Sequence, residues 1–245
     1  MPVEDRQVAL VTGAAKRLGA VMARVLHSRG YRVIVHFHRS SNAARTLVDD
    51  LNQIRADSAI SVQQDLTAEN AAMTLADSIR RNWSRLDLLV NNASVFDKTP
   101  LDEIDVATWE RIQTINLRAP YFLSIRVAEW LKRSSGSIVN IADIHGERPR
   151  LEYSAYCASK AGILAVTRSL AIDMAPEVRV NCVSPGAILW ANNESEAVKE
   201  NTIRSTPLQR HGTPEDIAEA VCYLAQARFV TGHTLNVDGG RIVRI

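Results

Sequence analysis

Val8-Ala-Leu-Val11-Thr12-Gly13-Ala-Ala-Lys16-Arg17-Leu18-Gly19 joins four apolar β-type residues to a glycine turn and to a helical stretch that runs to about Arg29 and is ended by Gly30. The order is strand, glycine turn, helix. In that order the turn reads as a phosphate cradle: glycines let the backbone approach a diphosphate, and the helix N-terminus offers free N–H groups with a partial positive charge. A glycine pair alone would fit a plain βα turn equally well. Lys16 and Arg17 tilt the reading toward an anion site.

The alternation continues outward from that unit. Residues 32–37 (RVIVHF) form a second buried-type strand that ends in His36-Phe-His38-Arg39-Ser40. NAD-binding chains of this architecture place an acid near that point for the ribose 2′-hydroxyl, whereas a basic residue accommodates the extra phosphate of NADP. Arg39 and Ser40 supply a guanidinium fork and a hydroxyl with no carboxylate nearby, which favours NADP over NAD. A helix over 42–54, a strand over 59–63 ending at Asp65-Leu66, a helix over 69–82 and a strand over 86–90 follow. The fourth strand leads into Asn91-Asn92-Ala93-Ser94-Val95-Phe96, a polar turn at the carboxyl edge of the sheet, where open α/β sheets bind ligands. Phe96 there either stacks on a flat ring or packs against its own loop.

Residues 107–133 read as one long helix with Trp109, Ile112, Ile115, Phe122 and Val127 at recurring apolar positions, Asn116 inside it and Pro120 interrupting it. A fifth strand over 136–142 delivers Asp143, a turn residue or a site acid, and 144–152 form a polar loop. A helix then runs to about Met174, and a sixth strand over 178–183 leads to Ser184-Pro185-Gly186. Residues 187–208 are the least regular, and such a stretch in a compact chain predicts a lid over a site. Thr213 and Pro214 suit the N-cap and first position of a helix. Residues 235–237 are a last strand before Asp238-Gly239-Gly240.

Chemistry enters with Tyr153-Ser-Ala-Tyr156-Cys-Ala-Ser-Lys160. Side chains at i and i+4 share a helix face, so Tyr156 and Lys160 can point into one site. A phenol titrating near pH ~10 is a poor proton shuttle at neutral pH, and a lysine cation beside it favours the phenolate. Tyr153 lies seven residues from Lys160, about two turns away, so the electrostatic help goes to Tyr156.

The 245 residues, 46% hydrophobic and 23% charged, suit an ordinary folded α/β domain rather than a disordered chain. A net charge of +2 without a dense Lys/Arg block predicts no nucleic-acid or membrane partner. Cys157, Cys182 and Cys222 lie far apart, which suggests neither disulfides nor a metal site and fits the cytoplasm. No signal-peptide pattern or membrane-length apolar run is present in the sequence.

Across nearly the whole chain these motifs resemble the short-chain dehydrogenase/reductase family: T-G-x-x-x-x-x-G at Thr12 to Gly19, N-N-A at Asn91 to Ala93, Asn116, Y-x-x-x-K at Tyr156 and Lys160, P-G at Pro185 and Gly186, and V-D-G-G at Val237 to Gly240. The resemblance implies one doubly wound, Rossmann-type α/β domain over residues 1–245, a seven-stranded parallel sheet with helices on both faces, and a homotetramer. Two departures narrow it. The middle glycine of T-G-x-x-x-G-x-G is Arg17, and the serine usual thirteen residues before the tyrosine is Asp143. With H-F-H-R-S at His36 to Ser40 and N-N-A-S-x-F at Asn91 to Phe96, they are similar to the pteridine reductases of that family, which reduce pterins or dihydrofolate with NADPH.

That likeness assigns cofactor contacts to Gly13, Arg17 and Leu18 on the turn, to His38, Arg39 and Ser40 after the second strand, and to Asp65 and Leu66 beside the adenine. Asn92 and Ala93, Tyr156 and Lys160, and Pro185 and Gly186 complete the cofactor set. Arg17, Ser94, Phe96, Asp143 and Tyr156 would meet the substrate. Asp143, Tyr156, Lys160 and Asn116 would be catalytic: Lys160 holds the nicotinamide ribose and tunes Tyr156, Tyr156 with Asp143 relays a proton, and Asn116 holds a water of that relay. Phe96 and the nicotinamide would sandwich the pterin. A carbonyl or 3-oxoacyl thioester reductase is the nearest alternative, disfavoured because an ionised Asp143 cannot donate a hydrogen bond to a carbonyl. A catalytically silent NADP(H)-binding regulator is another, opposed by Asn116, Tyr156 and Lys160 occurring together. The tail Arg241-Ile-Val-Arg-Ile either contacts a neighbouring subunit or frays.

Overall fold

In the computed structural model, which describes residues 6–190 and 195–244, seven strands form one parallel sheet. They are β1 (Val8–Val11), β2 (Arg32–Phe37), β3 (Ala59–Gln63), β4 (Leu88–Asn91), β5 (Ser137–Ile141), β6 (Arg179–Pro185) and β7 (Thr234–Val237). Their order is β3-β2-β1-β4-β5-β6-β7. Parallel neighbours cannot be joined by a hairpin, so helices make the crossovers and cover both faces. These are α1 (Arg17–Ser28), α2 (Ser41–Ile54), α3 (Ala71–Asn82), α4 (Val106–Gln113), α5 (Ala119–Arg126), α6 (Ala128–Ser134), α7 (Ser154–Asp173), α8 (Glu196–Ser205) and α9 (Pro214–Gln226).

Burial on both faces explains why the strands read as unbroken apolar runs. Successive side chains of a strand point to opposite faces. Ala9 and Val11 therefore pack with Met22 and Leu26 of α1 and Val221 of α9, while Val8 and Leu10 pack with Leu75 and Ile79 of α3 and Leu170 of α7. Truncating one fully buried leucine of these layers to alanine would cost about 2–5 kcal/mol. Among the described residues no helix is long and apolar enough to cross a membrane.

Two expectations need correction, the single long helix and the frayed tail. The helix expected over 107–133 is divided into α4, a π-helical turn at Thr114–Arg118, α5 and α6. Pro120 lies directly after the π turn, in the first turn of α5, where its missing N–H fits the expected interruption. The extra residue of the π turn shifts the phase of the downstream helix by about 100°, and beyond it Phe122 is exposed while Val127 is fully buried.

The stretch 187–208 has an acidic, helix-prone middle, and there it forms α8, capped by Ser195, whose Oγ accepts from Val198 N at 3.4 Å; residues 191–194 of the expected lid lie outside the described residues. The tail does not fray as far as Val243. Asp238 accepts from Gly240 N (2.9 Å) and Ile242 N (2.6 Å), winding Arg241–Val243 into a 3₁₀ turn. The capped start of α9 is as expected, with Thr213 and Asp216 bonded reciprocally and Pro214 in the first turn.

Candidate active site

Strand order reverses between β1 and β4, and in open α/β sheets the crevice at the carboxyl ends of such strands is where ligands bind. A cavity of about 720 Å³ opens there. Its floor is a latch between two loops: Thr12 Oγ1 accepts from Asn92 N (2.9 Å) and Ala93 N (3.0 Å), and Asn92 Nδ2 donates to Thr12 O (2.8 Å) and Gly13 O (3.3 Å). Space is the reason for the glycines. A Cβ on Gly13, whose φ is +63°, would lie 2.9 Å from Ala93 Cα; one on Gly19 would lie 2.3 Å from Gly13 O.

Sequence reasoning saw His36 only as part of a strand end. Its Nδ1 accepts from Gly13 N at 3.1 Å and its Nε2 meets Gln64 O at 3.0 Å, so the ring carries its proton on Nε2 and pins the turn from behind. Burial lowers its pKa and keeps it neutral. A histidine inside the apolar run RVIVHF was the available signal.

Arg17 opens α1 at φ 53°, a left-handed conformation that is costly for a side chain of its size. No acid occupies the first turn of that helix. The Arg17 guanidinium crosses the cleft to Trp190 O at 3.3 Å. Leu18, Leu66, Ala93, Pro185 and Gly186 line the same cavity.

Farther along, His38 Nε2 lies 3.5 Å from Asp65 Oδ2. The expectation of no carboxylate nearby therefore holds only along the chain, because pairing of β2 with β3 sets Phe37 against Gln63 and brings Asp65 alongside. The Asp65 carboxyl is held below its ordinary pKa, first by the Thr67 backbone N–H and further by the charges of His38 and Arg39. Arg39 is exposed and Ser40 precedes α2, both outside the cavity wall.

At the other end the structure brings Tyr156, Asp143 and Lys160 together. Tyr156 OH donates to Asp143 Oδ2 at 2.8 Å, and His145 N donates to Asp143 Oδ1 at 2.8 Å, so both oxygens accept. The expectation that Lys160 lowers the tyrosine's pKa is overturned. Burial, the Asp143 charge and its hydrogen bond push the phenol well above its ordinary value. Lys160 Nζ instead donates to Ile141 O at 2.9 Å, 5.6 Å from the Tyr156 ring centroid, and burial brings its own pKa down to about 8.

The Asn116 side chain is committed to the protein's own groups. It is buried in the π turn, with Oδ1 accepting from Val95 N (2.9 Å) and Ser94 Oγ (3.2 Å) and Nδ2 donating to Val95 O (3.0 Å) and Ser159 Oγ (3.1 Å). An amide has two donors and room for two acceptor bonds, so this side chain has no capacity left for a relay water and instead positions the 94–96 loop. Phe96 stacks on Tyr153 with ring centroids 4.5 Å apart and meets Tyr156 edge-on at 4.7 Å. Ser94 and Phe96 line the cavity, whereas Asn116 does not.

The cradle fits a dinucleotide: its glycines leave the volume that a Cβ would fill, and Lys16 and Arg17 add positive charge at the start of α1. Comparison with known proteins agrees. A family model described as enoyl-(acyl carrier protein) reductase matches residues 13–241. Pteridine reductase 1 of Leishmania tarentolae is 37% identical, with 95% of each chain covered. The 3-oxoacyl-[acyl-carrier-protein] reductase of Synechocystis sp. is 34% identical over 97% of each chain, and the cis-4-hydroxycyclohexanecarboxylate dehydrogenase of Sinomonas cyclohexanicum is 36% identical over 96% of each. With this sheet, cradle and tyrosine–lysine helix, the chain belongs to the short-chain dehydrogenase/reductase family of oxidoreductases, which work with a nicotinamide cofactor.

Proposed function

We propose that this oxidoreductase is an NADPH-dependent reductase of pteridines. The observation that carries the reading is the Asp143–Tyr156 hydrogen bond. A ketone reductase needs a donor where Asp143 stands, and Asp143 presents two acceptor oxygens. A pterin ring has N–H donors for such a carboxylate and a flat face for Phe96 at the cavity wall.

The cofactor supplies the hydride that reduces a ring C=N carbon. Tyr156 holds the proton destined for the adjacent nitrogen, neutral at physiological pH because burial and Asp143 raise its pKa. Asp143 orients that hydroxyl, Asn116 fixes the loop bearing Ser94 and Phe96, and Lys160 holds a positive charge beside the phenol. The preference for NADPH rests on Arg39 and Ser40 following β2, where an NAD-binding chain would carry an acid, with Asp65 brought alongside only by strand pairing. A cytoplasmic homotetramer completes the proposal; the three cysteines are free and buried, as in a reducing compartment.

The test is consumption of NADPH and of NADH with dihydrobiopterin, dihydrofolate and an acetoacetyl thioester. Pteridine turnover with NADPH preferred is expected. Turnover of the thioester alone overturns the substrate, and equal use of NADH overturns the cofactor.

A further inference from the structure

Five cationic side chains line the cavity, Lys16, Arg17, Arg150, Lys160 and Arg241, against two carboxylates, Asp65 and Asp143. Lys16 and Arg17 lie on the phosphate cradle, and Lys160 stands under Tyr156. The dinucleotide therefore leaves Arg150 and Arg241 unexplained. Both lie at the catalytic end. The Arg150 guanidinium is 4.8 Å over the Tyr153 ring and 5.6 Å over Phe96, and the charges of Arg150 and Asp143 both act on Arg241.

Arg241 is delivered there by a turn that cannot move far. Gly239 and Gly240 take φ of 64° and 83°, and Asp238 bonds Gly240 N and Ile242 N. On one side Gly186 N donates to Val237 O at 3.0 Å, and a Cβ on Gly186 would lie 2.7 Å from Asp238 Cα. On the other, Leu208 N donates to Gly239 O at 3.1 Å, and a Cβ on Gly239 would lie 2.7 Å from Thr206 Cγ2. Clamped between the Pro185-Gly186 corner and the residues after α8, the turn sends the next side chain into the cleft.

There the guanidinium is half-buried, and among the described residues it has no hydrogen-bond or salt-bridge partner. Burial first and then the like charge of Arg150 lower its pKa against the opposing pull of Asp143 and Asp238, yet an arginine stays charged at neutral pH. Neither carboxylate is within salt-bridge distance, so a substrate anion could still make the direct, charge-assisted hydrogen bonds that the guanidinium lacks.

We propose that Arg241 is a specificity residue that binds an anionic group of the substrate, a carboxylate, at the catalytic end of the cleft. The inference rests on the oxidoreductase reading and, within the pteridine proposal, names carboxylate-bearing pteridines as preferred over neutral ones.

The experiment compares kcat/KM with NADPH for two matched pairs, dihydrofolate against its diester and levulinate against ethyl levulinate, in wild type, Arg241→Gln and Arg241→Lys. Wild type is expected to prefer the carboxylate member of whichever pair it takes. In Arg241→Gln the carboxylate-to-neutral ratio should fall about tenfold to a hundredfold, chiefly through KM, and Arg241→Lys should restore part of it. A ratio is insensitive to a general loss of folded protein. Equal handling of both members by wild type, or an unchanged ratio in Arg241→Gln, overturns the inference. Turnover of the keto acid pair alone with the preference intact discards the pteridine reading and keeps Arg241, and turnover of neither pair discards both.

Discussion

The two ends of the cleft are built from different materials. At the cradle, position is set by backbone: glycines in near-contact with Ala93 and Asn92, the buried Thr12 hydroxyl accepting two N–H groups, and a neutral histidine behind the turn. At the catalytic end beyond Tyr156 the wall is side chain: an exposed Phe96 on Tyr153, Arg150 over both rings, and Arg241 from the C-terminal turn. Backbone approach tolerates almost no substitution, whereas a side-chain wall can be rewritten without disturbing the sheet. Chemistry shared across a family belongs at the first kind of end, and substrate choice at the second.

Tyr156 stands where the two meet, and losing it should have the largest effect. Tyr156→Phe removes the proton and is expected to lower kcat about 10²- to 10⁴-fold in steady-state assays; near-normal turnover would remove the tyrosine from the chemistry and blur the division.

The contrast itself is probed by Thr12→Val beside Phe96→Leu. Valine keeps the shape but orphans two partly buried N–H groups, at up to about 1–3 kcal/mol each, so the urea midpoint should fall and the NADPH Kd rise. Phe96→Leu should raise the substrate KM while forfeiting only about 0.5–1.5 kcal/mol of ring stacking. Equal losses of stability in the two variants would break the comparison.

The smallest effect concerns pH. Lys160 in the folded protein loses its proton near pH 8, so kcat/KM should decline on the alkaline side with a limb near 8, about tenfold one pH unit above it. Lys160→Arg should move that limb upward. Stability moves the other way: the unfolded lysine keeps its proton to about 10.5, so between about 8 and 10.5 the unfolded state binds more protons and folding becomes more favourable as pH rises.

How much of the molecule was legible in the sequence depends on which contacts are local. Parallel strands buried on both faces leave unbroken apolar runs, and Thr213-Pro214 announces a helix start, so element order could be read. The glycine turn and the Tyr156–Lys160 spacing are local too. What escaped depends on strands meeting: β1–β2 pairing sets His36 behind Gly13, and β2–β3 pairing sets Asp65 beside His38. Arg241 escaped because a two-glycine turn at the end of a chain resembles a frayed end until β7 is paired with β6. The effect of Lys160 was misjudged because spacing reveals neighbours but not burial, and burial together with Asp143 determines the pKa of Tyr156.

The π turn at Thr114–Arg118 makes the length of this segment matter more than its composition. It lets a continuous run of helix face α7 before the turn and α3 after it. Exchanging a side chain here alters one contact. Inserting a second extra residue beyond the one that the turn already absorbs would rotate everything downstream by about 100°. Leu123, Val127 and Leu131 would leave the core, and the Asn116 amide would no longer meet Val95. For this stretch a shift in reading length is a more severe lesion than any change of letter.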